Sequence, residues 1–219
     1  MNILALDTAT PSTAVAVQTA DGHAIDLRDD PQPAARGEHA EQVLTLAAAA
    51  LAEVELDWAA IDLVAVGTGP GGYTGLRIGI ATARALGRAC AARLAGVCTL
   101  RTLAEPRGGF VLALIDARRG ELFAAAYKDD VELVAPCVIR PAQLAGLREE
   151  IDAAELCAVG DGAIAWREEL ALLGVEVPAE DAAHRVSAAA ACRIAARAED
   201  PDLTPLYLRR PDAELALER

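Results

Sequence analysis

Apolar residues recur along this chain with two periods, and the switches between them divide it into elements. Residues 1–7 (MNILALD) form a short apolar run suited to a buried strand, and residues 12–19 (STAVAVQT) alternate as a second strand after turn chemistry at 8–11. Residues 23–28 make a third, antiparallel strand after the Asp21-Gly22 turn. From 37 to 54 the period lengthens to that of a helix, with Val43, Leu44, Ala47, Ala50, Leu51 and Val54 on one stripe. Residues 62–67 predict a fourth strand, 74–94 a long helix and 97–100 a fifth strand. The order is β-β-β-α-β-α-β.

The charged, Pro- and Gly-rich stretch EPRGG at 105–109 marks a boundary between an N-terminal half, 1–104, and a C-terminal half, 105–219. Beyond it the pattern restarts. An apolar strand at 110–116 (FVLALID) ends in Asp, a turn follows at 118–120, and strands follow at 121–127 and 131–140. A helix from Pro141, a strand at 156–160, a helix near 166–173 and an Ala-rich helix from Ser187 complete it. The repeat of apolar strand, Asp, turn and strand predicts two related halves, with the last helix packing back on the first.

Composition narrows the chemistry. The formal charge of -13 excludes an unaided grip on a phosphate backbone, which depends on Lys and Arg displacing counterions. Lys128 is the only lysine, which removes Schiff-base chemistry and a P-loop lysine. Ser12 and Ser187 are the only serines, and neither lies in G-x-S-x-G. Five scattered cysteines without C-x-x-C read as small buried hydrophobes in a reducing compartment. No run is long and apolar enough for a signal peptide or a membrane span, so a cytosolic, soluble protein is expected.

Residues 67–80 (GTGPGGYTGLRIGI) place a glycine knot between a strand and a helix, the grammar of a phosphate loop. Gly67, Gly69 and Gly72 match G-x-G-x-x-G, yet no acidic residue stands between Asp62 and Glu105 to hold a ribose. Walker A fails as well, because Gly75-Leu76-Arg77 stands where Gly-Lys-Ser/Thr is needed. The glycines continue into the helix: Gly75, Gly79, Ala83, Gly87 and Ala91 recur every four residues, beside an edge of Arg77, Arg84 and Arg88. Helix-interior glycine costs about 1 kcal/mol, so close approach of another element is implied. That element is either the chain's own sheet and first helix or a partner's helix docking in a groove rimmed by arginines. The docking groove is the reading adopted from the sequence.

Asp7-Thr8-Ala9-Thr10 and Asp116-Ala117-Arg118-Arg119-Gly120 each set an Asp at a strand end before a tight hairpin. Such hairpins hold metal-bound phosphate in actin-like ATPases and sugar kinases, both facing one cleft between two domains. Asp and Thr also cap ordinary turns, and residue chemistry leaves both readings open. His23, His39 and His184 lie far apart with no i, i+4 pair, which argues against a transition-metal site. His39, beside Glu38 and Glu41, reads as a surface or interface residue.

The stretch GPGGYTGLRIG at 69–79 resembles the GPGSFTGLRIG signature of the bacterial TsaB (YeaZ) family. The opening ILALDTAT, Glu38-His39-Ala40-Glu41, Ile115-Asp116-Ala117-Arg118 with Glu121, and Pro205-Leu206-Tyr207-Leu208-Arg209 resemble it in the same order. Gly72, Tyr73 and Ala40 depart mildly from the pattern, where Ser, Phe and Ser are frequent. The resemblance implies an α/β, actin-like, sugar-kinase-type (ASKHA) fold of two related halves around a cleft. It also implies a part in making N6-threonylcarbamoyladenosine beside the tRNA anticodon, as the partner of a catalytic paralogue, TsaD, with an ATPase, TsaE. The histidine pair that binds metal in TsaD is missing from this chain.

Carried over residue by residue, the resemblance places Gly75, Arg77, Gly79, Ala83, Arg84 and Arg88 at the partner interface, with His39, Val43, Leu46 and Ala50 from the first helix. It implies no catalytic residue, no metal and no required cofactor. Asp7, Thr8, Thr10, Gly71, Gly72 and Asp116 would supply only vestigial nucleotide contacts, for weak or interfacial ATP or ADP. The expected partners are a TsaD-like paralogue and a TsaE-like ATPase, with tRNA reached through the complex, and a homodimer when the chain is alone. Two other classes compete. A self-sufficient phosphotransferase would use Asp7 and Asp116 around Mg-ATP, and a peptidase would need a nucleophile–base pair that does not stand out.

Overall fold

In chain order the first strands are β1 (Ile3–Asp7), β2 (Thr13–Gln18) and β3 (Ala24–Asp29), followed by helix α1 (His39–Glu53). Then come β4 (Leu63–Gly69), α2 (Tyr73–Ala89), β5 (Arg93–Cys98) and α3 (Thr99–Ala104). The second stretch runs β6 (Phe110–Arg118), β7 (Glu121–Lys128), β8 (Val131–Ile139), α4 (Leu144–Ile151), β9 (Cys157–Val159), α5 (Asp161–Ala165) and α6 (Arg167–Leu172). Helix α7 (Ala188–Ala195) is last. This is a computed structural model that describes residues 1–31, 38–129, 131–197 and 202–209. Gly37, the expected start of the first helix, and the expected second half beyond 209 lie outside the described residues.

The chain divides into two units. Met1–Thr102 with Val186–Leu206 form the first, and Leu103–Arg185 with residues 207–209 form the second among the described residues. The division thus falls inside α3 rather than at EPRGG, and residues 186–206 belong to the first unit.

The first sheet has the order β3-β2-β1-β4-β5, with β1 antiparallel to β2 and parallel to β4, and β4 parallel to β5. Its central strands are apolar on both faces, as a sheet covered on two sides requires. The two faces differ in bulk. Leu4, Leu6, Val15, Val17, Val64 and Val66 pack with α1 and α2 residues in one buried cluster. The opposite face carries Ala5, Ala14, Ala16, Ala65 and Ala95 beside Ile3, Leu63 and Val97, and receives the alanines of α7. Period-2 alternation therefore sorts large from small side chains rather than apolar from polar, and the shallow face lets the Ala-rich helix lie close.

Helix α7 is fastened by chemistry distant in sequence. Ser187 caps it by accepting from Ala190 N–H at 3.1 Å. Asp26 of β3 accepts from Ser187 Oγ at 3.0 Å and from Ala189 N–H at 3.1 Å. Arg28 adds a bond to the Val186 carbonyl at 3.1 Å.

The second sheet has the order β8-β7-β6-β9, again a meander joined to a parallel strand. Where the first sheet has a fifth strand, this one has a single parallel bridge, Cys157 to Glu176. Leu112, Leu114, Leu122, Ala124 and Ala126 pack with Leu144, Leu147, Ile151 and Leu170 from the helices on one face.

Three sequence expectations change. Helix α2 stops at Ala89, and β5 begins at Arg93, so the helix expected to 94 is shorter and the strand expected at 97–100 starts earlier. Ala91 takes a left-handed φ of 53°, and the Ala92 N–H bonds the Gly87 carbonyl at 2.9 Å, the six-to-one bond of a Schellman ending. No Gly or Pro announces this stop. Leu44, expected on the buried stripe of α1, is instead 47% exposed.

Candidate functional site

The carboxyl ends of parallel strands are where an open α/β sheet presents a ligand crevice. In the first unit those ends carry Asp7 of β1, Gly67–Gly69 of β4 and Thr99 after β5. Asp7 is 1% exposed. Its carboxylate accepts from Ala9 N–H at 2.8 Å and from Thr99 Oγ at 2.8 Å. Gly67 lies so close that a Cβ there would overlap the same carboxylate. Burial pushes the Asp7 pKa up to about 6, against the pull of the Ala9 and Thr99 bonds and the Arg28 charge. Each oxygen accepts one bond from the chain's own groups, and the side chain is buried within the unit.

The glycine loop fits against this turn. Gly71 presses on the Ala9 carbonyl, and Gly72, the N-cap of α2, donates its N–H to that oxygen at 2.7 Å. One turn on, Thr8 Oγ donates to the Gly75 carbonyl at 2.7 Å, and a Cβ on Gly75 would overlap the Thr8 carbonyl oxygen. A Cβ on Gly79 would overlap Thr8 Oγ, and one on Gly87 would meet Leu94 Cδ2 at 2.6 Å. Gly75, Gly79, Ala83 and Gly87 form the inner face of α2, absent side chains being what lets the helix sit on the β1 turn and β4, whereas Ala91 of the expected stripe lies beyond the helix and is exposed. This corrects the docking groove expected from the sequence.

The expected interface residues divide accordingly. Val43, Ala50, Gly75, Gly79 and Ala83 are buried within the unit, and Leu46 packs on the same core. Arg77, Arg84 and Arg88 stand exposed on the outer edge of α2. The Arg77 guanidinium lies over the Tyr73 ring, 4.0 Å from its centroid. His39 is half-buried at the start of α1, its Nδ1 2.8 Å from Thr13 Oγ of β2. Burial depresses its pKa, while Asp29 acts in the opposite sense.

Of the residues expected to touch nucleotide, Thr8 is buried like Asp7, Thr10 and Gly71 are half-buried and Gly72 is exposed. Asp116 belongs to the second unit, where it accepts from Arg118 N–H at 2.8 Å and pairs with the Arg118 guanidinium at 3.3 Å. Asp161 supports this hairpin by accepting from Asp116 N–H at 2.9 Å, and its own pKa is raised by burial. Arg209 bonds the Ala117 carbonyl at 2.8 Å and Glu121 at 3.3 Å, which gives the family-like Arg209 and Glu121 a shared structural task.

His184 is buried with Nε2 2.9 Å from the Pro178 carbonyl and Nδ1 3.1 Å from Gly160 N. Among the described residues no group of three or more His, Cys, Asp or Glu side chains is placed to hold a metal ion, and no helix is long and apolar enough to cross a membrane. Thr99 and Thr13, which hold Asp7 and His39, carry no motif and are legible only once the strands are assembled.

Two meander-plus-crossover sheets of this order define an actin-like α/β protein. A family model described as "TsaD: tRNA N6-adenosine threonylcarbamoyltransferase" matches residues 30–203. The tRNA threonylcarbamoyladenosine biosynthesis protein TsaB of Escherichia coli is 34% identical over 76% of this chain and 74% of its own length. A solved structure of YeaZ from Pseudomonas aeruginosa superposes with a TM-score of 0.73 at 26% identity, covering 89% of this chain and 90% of that one. An uncharacterized protein of Mycobacterium tuberculosis is 36% identical over 97% of this chain and 93% of its own length. A longer Mycobacterium leprae protein, 33% identical, is spanned over 56% of its length. The chain belongs to the TsaB/YeaZ family.

Proposed function

We propose that this chain acts in the cytoplasm as the non-catalytic partner subunit of a TsaD-containing complex. That complex transfers threonylcarbamoyl from threonylcarbamoyl-AMP to N6 of adenosine 37 in tRNAs reading codons that begin with A. The observation that carries the non-catalytic part is the closure of Asp7. A phosphotransferase of this fold needs the strand-end carboxylate free to face a metal-bound phosphate, and here Thr99, Ala9 and Gly67 enclose it. The name of the Escherichia coli relative supports the pathway. The charge of -13 supports reaching tRNA through a partner.

In this reading the docking surface is the outer face of α1 and α2, where Leu44 and the edge of Arg77, Arg84 and Arg88 stand exposed. An arginine edge on an acidic chain favours carboxylates on the partner. The same face pairs two copies when the chain is alone, and a TsaE-like ATPase joins the heterodimer. No cofactor is required, and ATP or ADP binds weakly or at the shared interface.

Reconstitution tests the reading. Purified chain, TsaD, TsaE, threonylcarbamoyl-AMP and tRNA are combined, and modified adenosine is quantified by mass spectrometry of nucleosides. Modification is expected to require this chain. Full modification without it, or tight ATP binding by the isolated chain in calorimetry, would sink the proposal.

A further inference from the structure

Strand β4 carries a bulge near its end: Gly67 pairs with Val97 and Gly69 with Cys98, leaving Thr68 as an extra residue. A bulge removes its residue from the ladder and orphans a backbone group that must find a partner elsewhere. Thr68 Oγ donates to the Val97 carbonyl at 3.2 Å, but the Thr68 carbonyl is taken by residue 206, whose N–H reaches it at 2.8 Å. Residues 202–206 have no regular secondary structure and cross the helix-covered face of the sheet from β5 to β4. Gly96 of β5 carries no side chain, and a Cβ there would overlap the Asp202 carbonyl. Leu203 is 6% exposed and inserts into the cluster of Val66, Ile80 and Ala83, whereas Asp202 and Thr204 on either side are exposed. One apolar anchor, one bare backbone platform and one orphan acceptor together make a groove for an extended peptide.

We propose that the face of β4 and β5 beside this bulge is a peptide-binding groove filled in cis by residues 202–206, and that this strap is a releasable latch on the glycine loop. Its hydrogen bond falls on Thr68, the residue before Gly69, and the Leu206 carbonyl approaches the Gly69 Cα. The latch therefore holds the point from which the loop enters α2. Among the described residues it is held by buried Leu203, the Leu206 N–H bond to the Thr68 carbonyl and the seat of the Asp202 carbonyl on Gly96, so it opens at lower cost than the β1–β2 core. The inference stands independently of the docking reading above.

Native-state hydrogen exchange on the full chain tests it, with Leu203→Asp and the milder Leu203→Ala. Exchange at the Leu206 and Gly72 amides is expected to rise at least about tenfold in both variants while amides of the β1–β2 ladder keep their rates. A synthetic peptide of residues 202–206, added to Leu203→Asp at millimolar concentration, is expected to restore protection at Gly72. Unchanged exchange at Gly72 overturns the latch, and equal acceleration throughout the first unit makes the strap part of the global core and overturns it too. Failure of the peptide to protect overturns the groove.

Discussion

Thr8 and Gly75 hold each other twice: the Thr8 hydroxyl donates to the Gly75 carbonyl at 2.7 Å, and the Thr8 carbonyl lies against the Gly75 Cα. Each contact needs a missing side chain on the helix. Gly75→Ala is therefore expected to destabilise the protein by about 2–4 kcal/mol, since the obstacle is backbone and cannot rotate away. Gly79→Ala meets the Thr8 hydroxyl instead, and is expected to cost about 1–2 kcal/mol as that bond breaks. Urea unfolding read by circular dichroism measures both. Gly79→Leu, the natural probe of a docking stripe, would report folding rather than docking.

Asp7 makes stability depend on pH in an uncommon direction. Its folded pKa of about 6 exceeds the ordinary 3.8, so the folded state binds the proton more tightly. The contribution is fully present below pH 3.8 and is lost as pH rises through 6, a difference of about 3 kcal/mol. Asp7→Asn keeps the shape and removes the charge. It is expected to be more stable than the parent at pH 7–8, by up to about 3 kcal/mol, and to lose the dependence between pH 4 and 6. A parent-like pH profile in the variant would contradict this.

His39 acts from the other side. Burial lowers its pKa below the ordinary 6.5, so the folded state prefers the neutral ring. Its contribution is present above pH 6.5 and is lost as pH falls through the folded pKa. Thermal melts of His39→Gln between pH 5 and 7.5 are expected to show a shallower acid decline than the parent.

The arginine edge separates docking from folding. Arg84→Glu with Arg88→Glu is expected to leave stability within about 0.5 kcal/mol, because both side chains are exposed. Binding to TsaD should fall at least about tenfold, by loss of charge-assisted pairs and new like-charge repulsion. Surface plasmon resonance at two salt concentrations checks this. Parent-like affinity would move the interface elsewhere.

Asp26 ties α7 to β3 across 163 residues of sequence. Asp26→Ala removes the acceptor for Ser187 Oγ and Ala189 N–H and is expected to cost about 1–2 kcal/mol. Cys192, behind it, has its thiol pushed up to about 12 by burial. Thiol labelling at pH 8 should therefore be slow in the parent and faster in Asp26→Ala, which frees α7. Equal labelling rates would show that the tie does not hold the helix.

Elements carried by strong periodicity were legible beforehand: β1, β2, α1 and β6 fall within a few residues of their expected bounds. The end of α2 was not, because alanine stands at the left-handed position where glycine usually marks the stop. The glycine stripe was visible as a pattern, but its direction was not. A spacing of four names one helix face without saying what covers it, and the Thr8 carbonyl that covers it arises sixty-seven residues earlier. Likewise the sequence left Asp7 open between a phosphate contact and a turn cap, and its bond to Thr99, ninety-two residues away, is visible only in the fold.

By itself the sequence determined the local grammar, the two-part repeat and the family, because strand and helix periods and a contiguous glycine motif are properties of neighbouring residues. Only the tertiary structure decided that the stripe faces inward, that Asp7 is sealed, and that residues 186–206 complete the first unit. Those outcomes depend on which distant groups reach one another within hydrogen-bond or van der Waals distance, and a one-dimensional pattern carries no record of such encounters.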